Sequence, residues 1–194
     1  MAHISDIAME QKRPSYIKSL GQDKFQGHDY YQVDELLSEE HLLIRDTVRA
    51  WVKQNVSPII EEYAQRAEFP RQLIKGLAEI GAFGAVIPAE YGGQGLDYTA
   101  YGIIMQELER GDSGIRSTAS VQSSLVMFPI YTFGSEAQRK KYLPALGSGE
   151  MIGCFGLTEP NHGSNPGGMI TRIKDMGDHY LLNGAKMWIS NAPV

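Results

Sequence analysis

The chain has 194 residues, of which 42% are hydrophobic and 21% are charged, and its formal net charge is −5. This composition is typical of a folded globular protein, and it excludes a disordered chain, a disulfide-stapled mini-protein and a broad basic surface for nucleic acid. Cys154 is the only cysteine, which excludes an internal disulfide and a multi-cysteine metal site. No apolar run is long enough to span a bilayer, and Asp6 and Glu10 are atypical of a transit peptide, so we expect a cytoplasmic protein without membrane insertion.

The first 33 residues show no clean period, and we expect a mobile leader there. Ser38 then offers an N-cap, and two glutamates directly after it favour the start of a helix. Aliphatic residues recur every four positions after this cap and predict a helix that ends near Pro58. They are Ile44, Val48, Val52 and Val56.

Residues 59–67 predict a second, short helix. Pro70 is expected in the first turn of a third helix, which carries aliphatic residues at helical spacing and ends at Gly81. Residues 82–98 are too rich in glycine and proline for a regular element and predict a shaped loop. Another helix is predicted over 99–110.

A turn at 111–114 is expected to break this helix, and residues 115–128 predict that a helix of small and apolar residues resumes after it. Ser135 is a good N-cap for a last amphipathic helix over 136–143. Because proline disfavours a helix interior, Pro144 is expected to lie beyond the end of that helix.

The pattern changes from helical to strand-like after Gly149. An apolar run over 151–158 predicts a first strand, and residues 169–174 and 179–191 predict two more, with a turn at 176–178 between them. The sequence therefore predicts a multi-domain α+β protein, in which an all-α N-terminal domain leads into the start of a β-domain.

Two segments of the predicted β-domain, 155–164 and 186–191, combine apolar residues with turn residues and polar groups. On a strand, residues i and i+2 point to the same side, so Trp188 and Ser190 would present an indole and a hydroxyl together. This pairing suits a flat heteroaromatic cofactor, and the Thr158 hydroxyl and nearby backbone N–H groups suit a ring edge or a phosphate. Taken singly, each segment could instead be a core aromatic or an ordinary turn.

Four motifs in this order resemble the acyl-CoA dehydrogenase family. They are IPAEYGGQGLDY (87–98), FGSEAQRKKYLPAL (133–146), FGLTEPNHGS (155–164) and KMWISN (186–191). The resemblance implies a helical N-terminal domain over 34–149 and a partial, β-barrel-like middle domain over 150–194, after the leader 1–33.

The resemblance also implies FAD as the cofactor and an acyl-CoA thioester as the substrate. In the family a glutamate removes the α-proton while the β-carbon delivers hydride to flavin N5, electrons pass to an electron-transfer flavoprotein, and the subunits form a homotetramer. The cofactor-binding residues carried over to this chain are Phe155, Gly156, Leu157, Thr158, Gly163, Ser164, Trp188, Ile189 and Ser190. Ser164 is also expected near the pantetheine arm of the substrate or near the pyrophosphates.

The segment ELERGDSGIRSTASVQSSLV (107–126) is similar to the glutaryl-CoA dehydrogenase branch of the family. Arg116 lies there among small and apolar residues, and its planar guanidinium fits a carboxylate, with Ser117 adding a hydroxyl. The resemblance places Arg116, Ser117 and Glu109 around the distal carboxylate of a dicarboxylic acyl-CoA, whose oxidised product then loses carbon dioxide to give crotonyl-CoA. The residues alone leave open that Arg116 pairs within the chain, with Asp112 or Glu109.

The sequence also departs from the family pattern. Asn165 stands where the family usually has aspartate, so a negative charge is lost from that loop. The base glutamate of the family belongs to a C-terminal helical domain and no residue here matches it, so no catalytic residue is assigned to this chain, and the histidine spacing predicts no metal site. We therefore expect the chain alone to be an inactive N-terminal half of a longer product. Another acyl-CoA specificity and a non-catalytic acyl-CoA-binding protein stay open as alternatives.

Overall fold

The computed structural model describes residues 30–194, and the predicted leader lies almost entirely outside them. Within that range the chain forms a helical domain followed by a two-stranded antiparallel sheet, as the sequence predicted. In chain order the helices are α1 Glu39–Trp51, α2 Ile60–Gln65, α3 Leu73–Glu79, α4 Tyr98–Gly111, α5 Ser113–Ser120, α6 Phe128–Phe133 and α7 Glu136–Gly147. The strands are β1 Arg172–Asp175 and β2 Tyr180–Asn183.

Wider helical turns extend two of these helices. The π-helical segment Val52–Val56 continues α1, and the π-helical segment Val121–Met127 joins α5 to α6. Short 3-10 turns are found at Val33–Leu36, Ala89–Tyr91 and Pro166–Gly168. The predicted division of the chain after Gly149 stays a prediction.

Both predicted N-caps are confirmed as capping boxes. The Ser38 hydroxyl accepts the backbone N–H of His41 at 3.2 Å, and the His41 ring accepts the Ser38 N–H at 3.4 Å. At the start of α7 the Ser135 hydroxyl accepts the Gln138 N–H at 3.3 Å, and the Gln138 side chain accepts the Ser135 N–H at 2.8 Å. Each box satisfies two N–H groups that a helix start otherwise leaves without partners.

Two helix boundaries near prolines differ from the prediction. Helix α3 begins at Leu73, so Pro70 lies before the helix and not in its first turn. Pro144 lies inside α7, which continues to Gly147. Leu143 and Leu146 on either side of this proline are buried in the core, and their packing outweighs the hydrogen bond that proline removes.

The helical break predicted at 111–114 narrows to Asp112 alone. This residue is extended (φ −168°, ψ 134°), and its carboxylate accepts the Ile115 N–H at 2.8 Å, which caps α5. Gly111 ends α4 against the first helix, and a Cβ at that position would lie 2.5 Å from Cγ1 of Val52. Close packing of α1 on α4 therefore depends on a glycine there.

One hydrophobic core joins the helices. The aliphatic spacing of α1 predicted its inner face correctly, since Val48, Val52 and Val56 are all buried. Other helices and the glycine-rich loop contribute the rest of this cluster, which includes Leu77, Phe83, Ile87, Ile104, Leu108, Ile115, Met127 and Leu143. Burial of apolar side chains at about 25 cal/mol per Å² is the main stabilising contribution to such a domain.

The two strands form a hairpin that is exposed on both faces. Arg172 pairs with Asn183 and Asp175 with Tyr180, and Gly177 at φ +98° makes the predicted turn between them. Both strands are shorter than predicted. Among residues 30–194, no helix is long and apolar enough to cross a bilayer.

The strand predicted over 151–158 is wrong, and so is the part of the third predicted strand after Asn183. One backbone hydrogen bond, from the Met187 N–H to the Thr158 carbonyl at 2.9 Å, links these two segments. A strand needs a ladder of such bonds to a neighbour, and an apolar run alone does not supply one. Both segments are therefore irregular in this structure.

Candidate functional site

The first candidate segment is held at its beginning by Gln122, a fully buried residue in the π-helical turn after α5. The Gln122 amide nitrogen donates to the carbonyls of Leu146 and Met151, each at 2.8 Å. Its amide oxygen accepts the Gly153 N–H at 2.8 Å. One side chain thus connects the end of α7 to the chain that leads into residues 155–158.

The second candidate segment is held at its end by Asn191, which is buried and has φ +67°. Its amide nitrogen donates to the carbonyls of Thr118 and Gly153, both at 3.2 Å. Thr118 lies on α5, so both segments are anchored to the same stretch of helix. Sequence reasoning missed Gln122 and Asn191, because their partners are far away along the chain.

Candidate flavin-contacting residues are mostly exposed. Phe155 is 43% exposed and Leu157 39%, Gly156 is exposed, and Thr158 is half-buried. Trp188 is 87% exposed, with φ +55°, and Ser190 is exposed beside the half-buried Ile189. The structure thus brings the two segments together through the Met187 to Thr158 bond.

The expected side-by-side arrangement of Trp188 and Ser190 on one strand is wrong. It depended on alternation along a strand, and residues 186–191 are not a strand. The local backbone at Trp188 is left-handed, which turns the chain within the motif. Phe155, Leu157 and Trp188 nevertheless present exposed apolar surface on the two segments, which is the kind of surface that a flat aromatic ligand needs.

Residues 163 and 164 follow a tight turn. Glu159 and His162 exchange backbone hydrogen bonds of 3.2 and 3.1 Å across it, and Gly163 and Ser164 are exposed just beyond. Asn165 precedes the short turn Pro166–Gly168, where it makes no side-chain cap. The roles of Gly163 and Ser164 toward cofactor or substrate stay predictions.

Glu159 and Lys186 form an ion pair between the segments that the sequence did not single out. The Glu159 carboxylate accepts the Lys186 ammonium at 3.0 Å, and its other hydrogen bonds come from the Ile170 and Thr171 N–H groups at 2.8 and 2.9 Å. Hydrogen bonds from Thr171 and from the Ile170 backbone lower the pKa of Glu159 to about 2. The carboxylate therefore stays ionised at neutral pH.

Arg116 lies on α5, two residues before Thr118, whose carbonyl accepts the Asn191 amide. Its Nε donates to Oε2 of Glu109 at 2.5 Å, and the Ser113 hydroxyl donates to Oε1 at 2.6 Å. Hydrogen bonds from Ser113 and then Arg116 lower the pKa of Glu109. Of the two intrachain partners left open by the sequence, the structure has Glu109, because Asp112 is occupied in capping α5.

The pairing with Glu109 uses one edge of the Arg116 guanidinium. The side chain is still 35% exposed, and Ser117 beside it is half-buried. An arginine carries five N–H donors, so donors remain beyond the one given to Glu109. A role for Glu109, Arg116 and Ser117 in binding a substrate carboxylate stays a prediction.

The described residues contain no cluster of three or more His, Cys, Asp and Glu side chains suited to a metal ion. The candidate residues fall into two groups, which are the two anchored segments and the ion pair between Arg116 on α5 and Glu109 on α4.

Family models match nearly all of the described chain. A model described as the acyl-CoA dehydrogenase N-terminal domain matches residues 38–150, and one described as the acyl-CoA dehydrogenase middle domain matches residues 154–194.

Individual relatives agree with these matches. A glutaryl-CoA dehydrogenase of Desulfococcus multivorans is 40% identical over 163 residues, which cover 82% of this chain and 42% of the relative. The mitochondrial short-chain specific acyl-CoA dehydrogenase of Rattus norvegicus is 37% identical over 165 residues, which cover 85% of this chain and 40% of the relative. The chain thus spans about two fifths of the length of these curated relatives.

A solved structure of a family member is also similar to this chain in its backbone fold. The glutaryl-CoA dehydrogenase from Mycobacterium smegmatis in complex with FADH2 is 45% identical, with a TM-score of 0.79 over 82% of this chain and 41% of that chain.

Proposed function

Because this chain belongs to the acyl-CoA dehydrogenase family, we propose that the protein carries out FAD-dependent α,β-dehydrogenation of an acyl-CoA thioester. The observation that carries this proposal is the joining of the two family motifs. Residues 155–158 and 186–191 are linked by the Met187 to Thr158 bond and are anchored through Gln122 and Asn191.

The residues proposed to hold FAD lie on these two segments. Phe155, Leu157 and Trp188 would provide apolar surface for the ring system, while Thr158 and Ser190 would provide hydroxyl groups for its polar edge. Gly156, Gly163, Ser164 and Ile189 complete the proposed set. FAD supplies the hydride acceptor when it is bound.

We place the acyl group on the side of α5, and glutaryl-CoA is the proposed substrate. Arg116 would bind the distal carboxylate of the glutaryl group, Glu109 would orient the guanidinium, and Ser117 would add a hydroxyl. Ser164 would lie near the pantetheine arm. A charged partner for the distal carboxylate would also hold that group in place during its loss as carbon dioxide, which would leave crotonyl-CoA.

The remaining parts of the proposal follow the family. The glutamate base that removes the α-proton matches no residue of this chain, so we assign its role outside residues 1–194. Electron-transfer flavoprotein is the proposed electron acceptor, and a homotetramer the proposed assembly. The single cysteine is in keeping with the reducing conditions of a cytoplasmic location, which we propose.

A short-chain, monocarboxylic acyl-CoA is a second candidate substrate. It is favoured by the Arg116–Glu109 pair, since an arginine that is neutralised within the chain needs no substrate carboxylate. The 37% identity to the short-chain specific relative, against 40% for the glutaryl-CoA dehydrogenase, does not separate the two candidates.

Anaerobic mixing of acyl-CoA thioesters with the purified, FAD-loaded protein tests the proposed reaction, and the protein used must include the part that supplies the glutamate base. We expect the visible flavin absorbance to bleach with a thioester and to stay unchanged with the corresponding free acid. Mass analysis of the products then tests decarboxylation, because crotonyl-CoA forms from glutaryl-CoA only if carbon dioxide is lost. Binding of acyl-CoA without any bound flavin would instead favour a non-catalytic binding protein.

A further inference from the structure

The Glu159–Lys186 ion pair is largely withdrawn from water. The Glu159 side chain is 1% exposed and the Lys186 side chain 23%. Removing two charges from water is unfavourable, and an apolar pair of similar size often stabilises a fold equally well. A buried charge pair at this point therefore calls for an explanation beyond stability.

The carboxylate of Glu159 connects two parts of the chain that approach the site. Its Oε1 accepts both the Thr171 N–H at 2.9 Å and the Lys186 ammonium at 3.0 Å, and its Oε2 accepts the Ile170 N–H at 2.8 Å. These bonds keep the carboxylate ionised, in agreement with its low pKa. Glu159 of the 155–164 motif thereby binds both the backbone just before β1 and the Lys186 side chain.

The ammonium of Lys186 has a second partner in the first segment. It also donates to the Leu157 carbonyl at 2.9 Å, inside the segment proposed to contact the flavin. Lys186 itself precedes Trp188 by two residues, and the next residue, Met187, donates its N–H to Thr158. The ion pair thus joins a residue of each motif and contacts the backbone of the first segment.

We propose that Glu159 and Lys186 are positioning residues that hold the two segments 155–158 and 188–190 at the separation required to bind the ring system of FAD. They do so without touching the flavin, through hydrogen bonds to backbone and through each other. This inference rests on the proposed function. Supporting residues of this kind fix the geometry of the groups that touch a ligand, and their loss weakens binding even when the contact residues are unchanged.

Three variants and one matched control test the pair. Glu159→Gln and Lys186→Met each remove one charge, and the double variant removes both, so that no unpaired charge is left buried. The control is Glu107→Gln, because the fully buried Glu107 forms an ion pair with Arg49 at 2.8 Å between α1 and α4, away from both segments. The Kd for added FAD and the visible flavin spectrum are measured, and hydrogen exchange of residues 155–158 is measured without FAD.

We expect each single variant to raise the Kd for FAD by about tenfold or more, the scale typical of lost supporting contacts. The flavin spectrum should shift, and exchange at 155–158 should accelerate before any FAD is added. The double variant should recover thermal stability relative to the single variants but not FAD affinity. Glu107→Gln should lower stability and leave the Kd, the spectrum and the exchange at 155–158 unchanged.

Unchanged FAD affinity and spectrum in Glu159→Gln and Lys186→Met would overturn the positioning role while the proposed function stands. An equal change in Glu107→Gln, or loss of helical circular dichroism in the double variant, would also overturn it, because the pair would then serve stability alone. A native protein that binds no FAD would overturn the proposed function, and this inference with it.

Discussion

The Nε of Arg116 lies 2.5 Å from Oε2 of Glu109, across the single extended residue that separates α4 from α5. Both side chains stay partly exposed, with 35% of Arg116 and 45% of Glu109 accessible. A surface ion pair of this kind contributes little to stability. We propose that the pair instead orients the guanidinium for a substrate carboxylate.

Replacing Arg116 with Ala should lower kcat/KM selectively for dicarboxylic acyl-CoA substrates. Loss of a charge-assisted contact to the distal carboxylate costs about 1.5–3 kcal/mol, or roughly 10–150-fold in kcat/KM for glutaryl-CoA. The kcat/KM for butyryl-CoA should change little. Arg116→Lys is the matched control, which keeps the charge but loses the planar fork. An equal loss on both substrates would identify the Arg116–Glu109 pair as purely structural.

Replacing Glu109 with Gln should act in the same direction but more weakly. The amide can still accept the Arg116 N–H, yet it no longer carries the charge that Ser113 and Arg116 stabilise. We expect a higher KM for glutaryl-CoA and an unchanged kcat, because the variant loosens the orientation of the binding group. Steady-state kinetics with glutaryl-CoA and butyryl-CoA check this, and a specific rise in the KM for butyryl-CoA would contradict it.

How far the sequence predicts this fold depends on how local each interaction is. The capping boxes of Ser38 and Ser135 each involve residues three apart, and both helix starts are predicted correctly. The Arg116–Glu109 pair spans seven residues across one helix break, and it was one of the two intrachain pairings considered from the sequence.

The errors concern interactions between distant parts of the chain. An apolar run predicts a strand over 151–158, but the chain there is held by Gln122 and not by a neighbouring strand. The Glu159–Lys186 pair joins residues 27 apart, and neither residue type signals the other. Trp188 was also expected on a strand because of the pattern of apolar residues. Such a pattern does not show that the backbone at Trp188 is left-handed.

Replacing Gln122 with Leu should destabilise the protein by about 3 kcal/mol, because buried polar groups of Leu146, Met151 and Gly153 lose their partner. Urea unfolding followed by circular dichroism measures the loss. Gln65→Leu on α2 is the control, since Gln65 is exposed. Similar unfolding midpoints for the two variants would contradict the assigned role of Gln122.

Replacing Ser135 with Ala should reduce the free energy of unfolding by about 1 kcal/mol, the usual contribution of an N-cap hydroxyl. The variant removes the acceptor of the Gln138 N–H at the start of α7. Ser135→Asp restores an acceptor and should recover most of the loss, because a carboxylate is also favourable at a helix N-terminus. Chemical denaturation of the three proteins gives the comparison, and equal stability of Ala and Ser at this position would contradict it.

The acid stability of the protein should depend on Glu159. Its folded pKa of about 2 lies below the ordinary value of 4.5, so the ionised carboxylate stabilises the fold fully above pH 4.5. This stabilisation is lost as the pH falls from 4.5 toward 2. The difference in unfolding free energy between the native protein and Glu159→Gln should therefore shrink over that range.

An exposed residue provides the control for this pH series. Glu150→Gln alters a carboxylate on the surface just before the first candidate segment. The unfolding free energy of this variant should match that of the native protein across the series. A difference in unfolding free energy between the native protein and Glu159→Gln that stays constant from pH 4.5 to pH 2 would contradict the assigned ionisation of Glu159.

The deciding measurement is the rate at which the flavin bleaches under anaerobic conditions with glutaryl-CoA and with butyryl-CoA. Both are tested on the same FAD-loaded protein, which includes the part that supplies the glutamate base. We expect glutaryl-CoA to bleach the flavin, and to do so faster than butyryl-CoA, because only the glutaryl group carries a carboxylate for Arg116. Faster bleaching by butyryl-CoA would contradict the glutaryl assignment, and no bleaching by either thioester would contradict the proposed dehydrogenation itself.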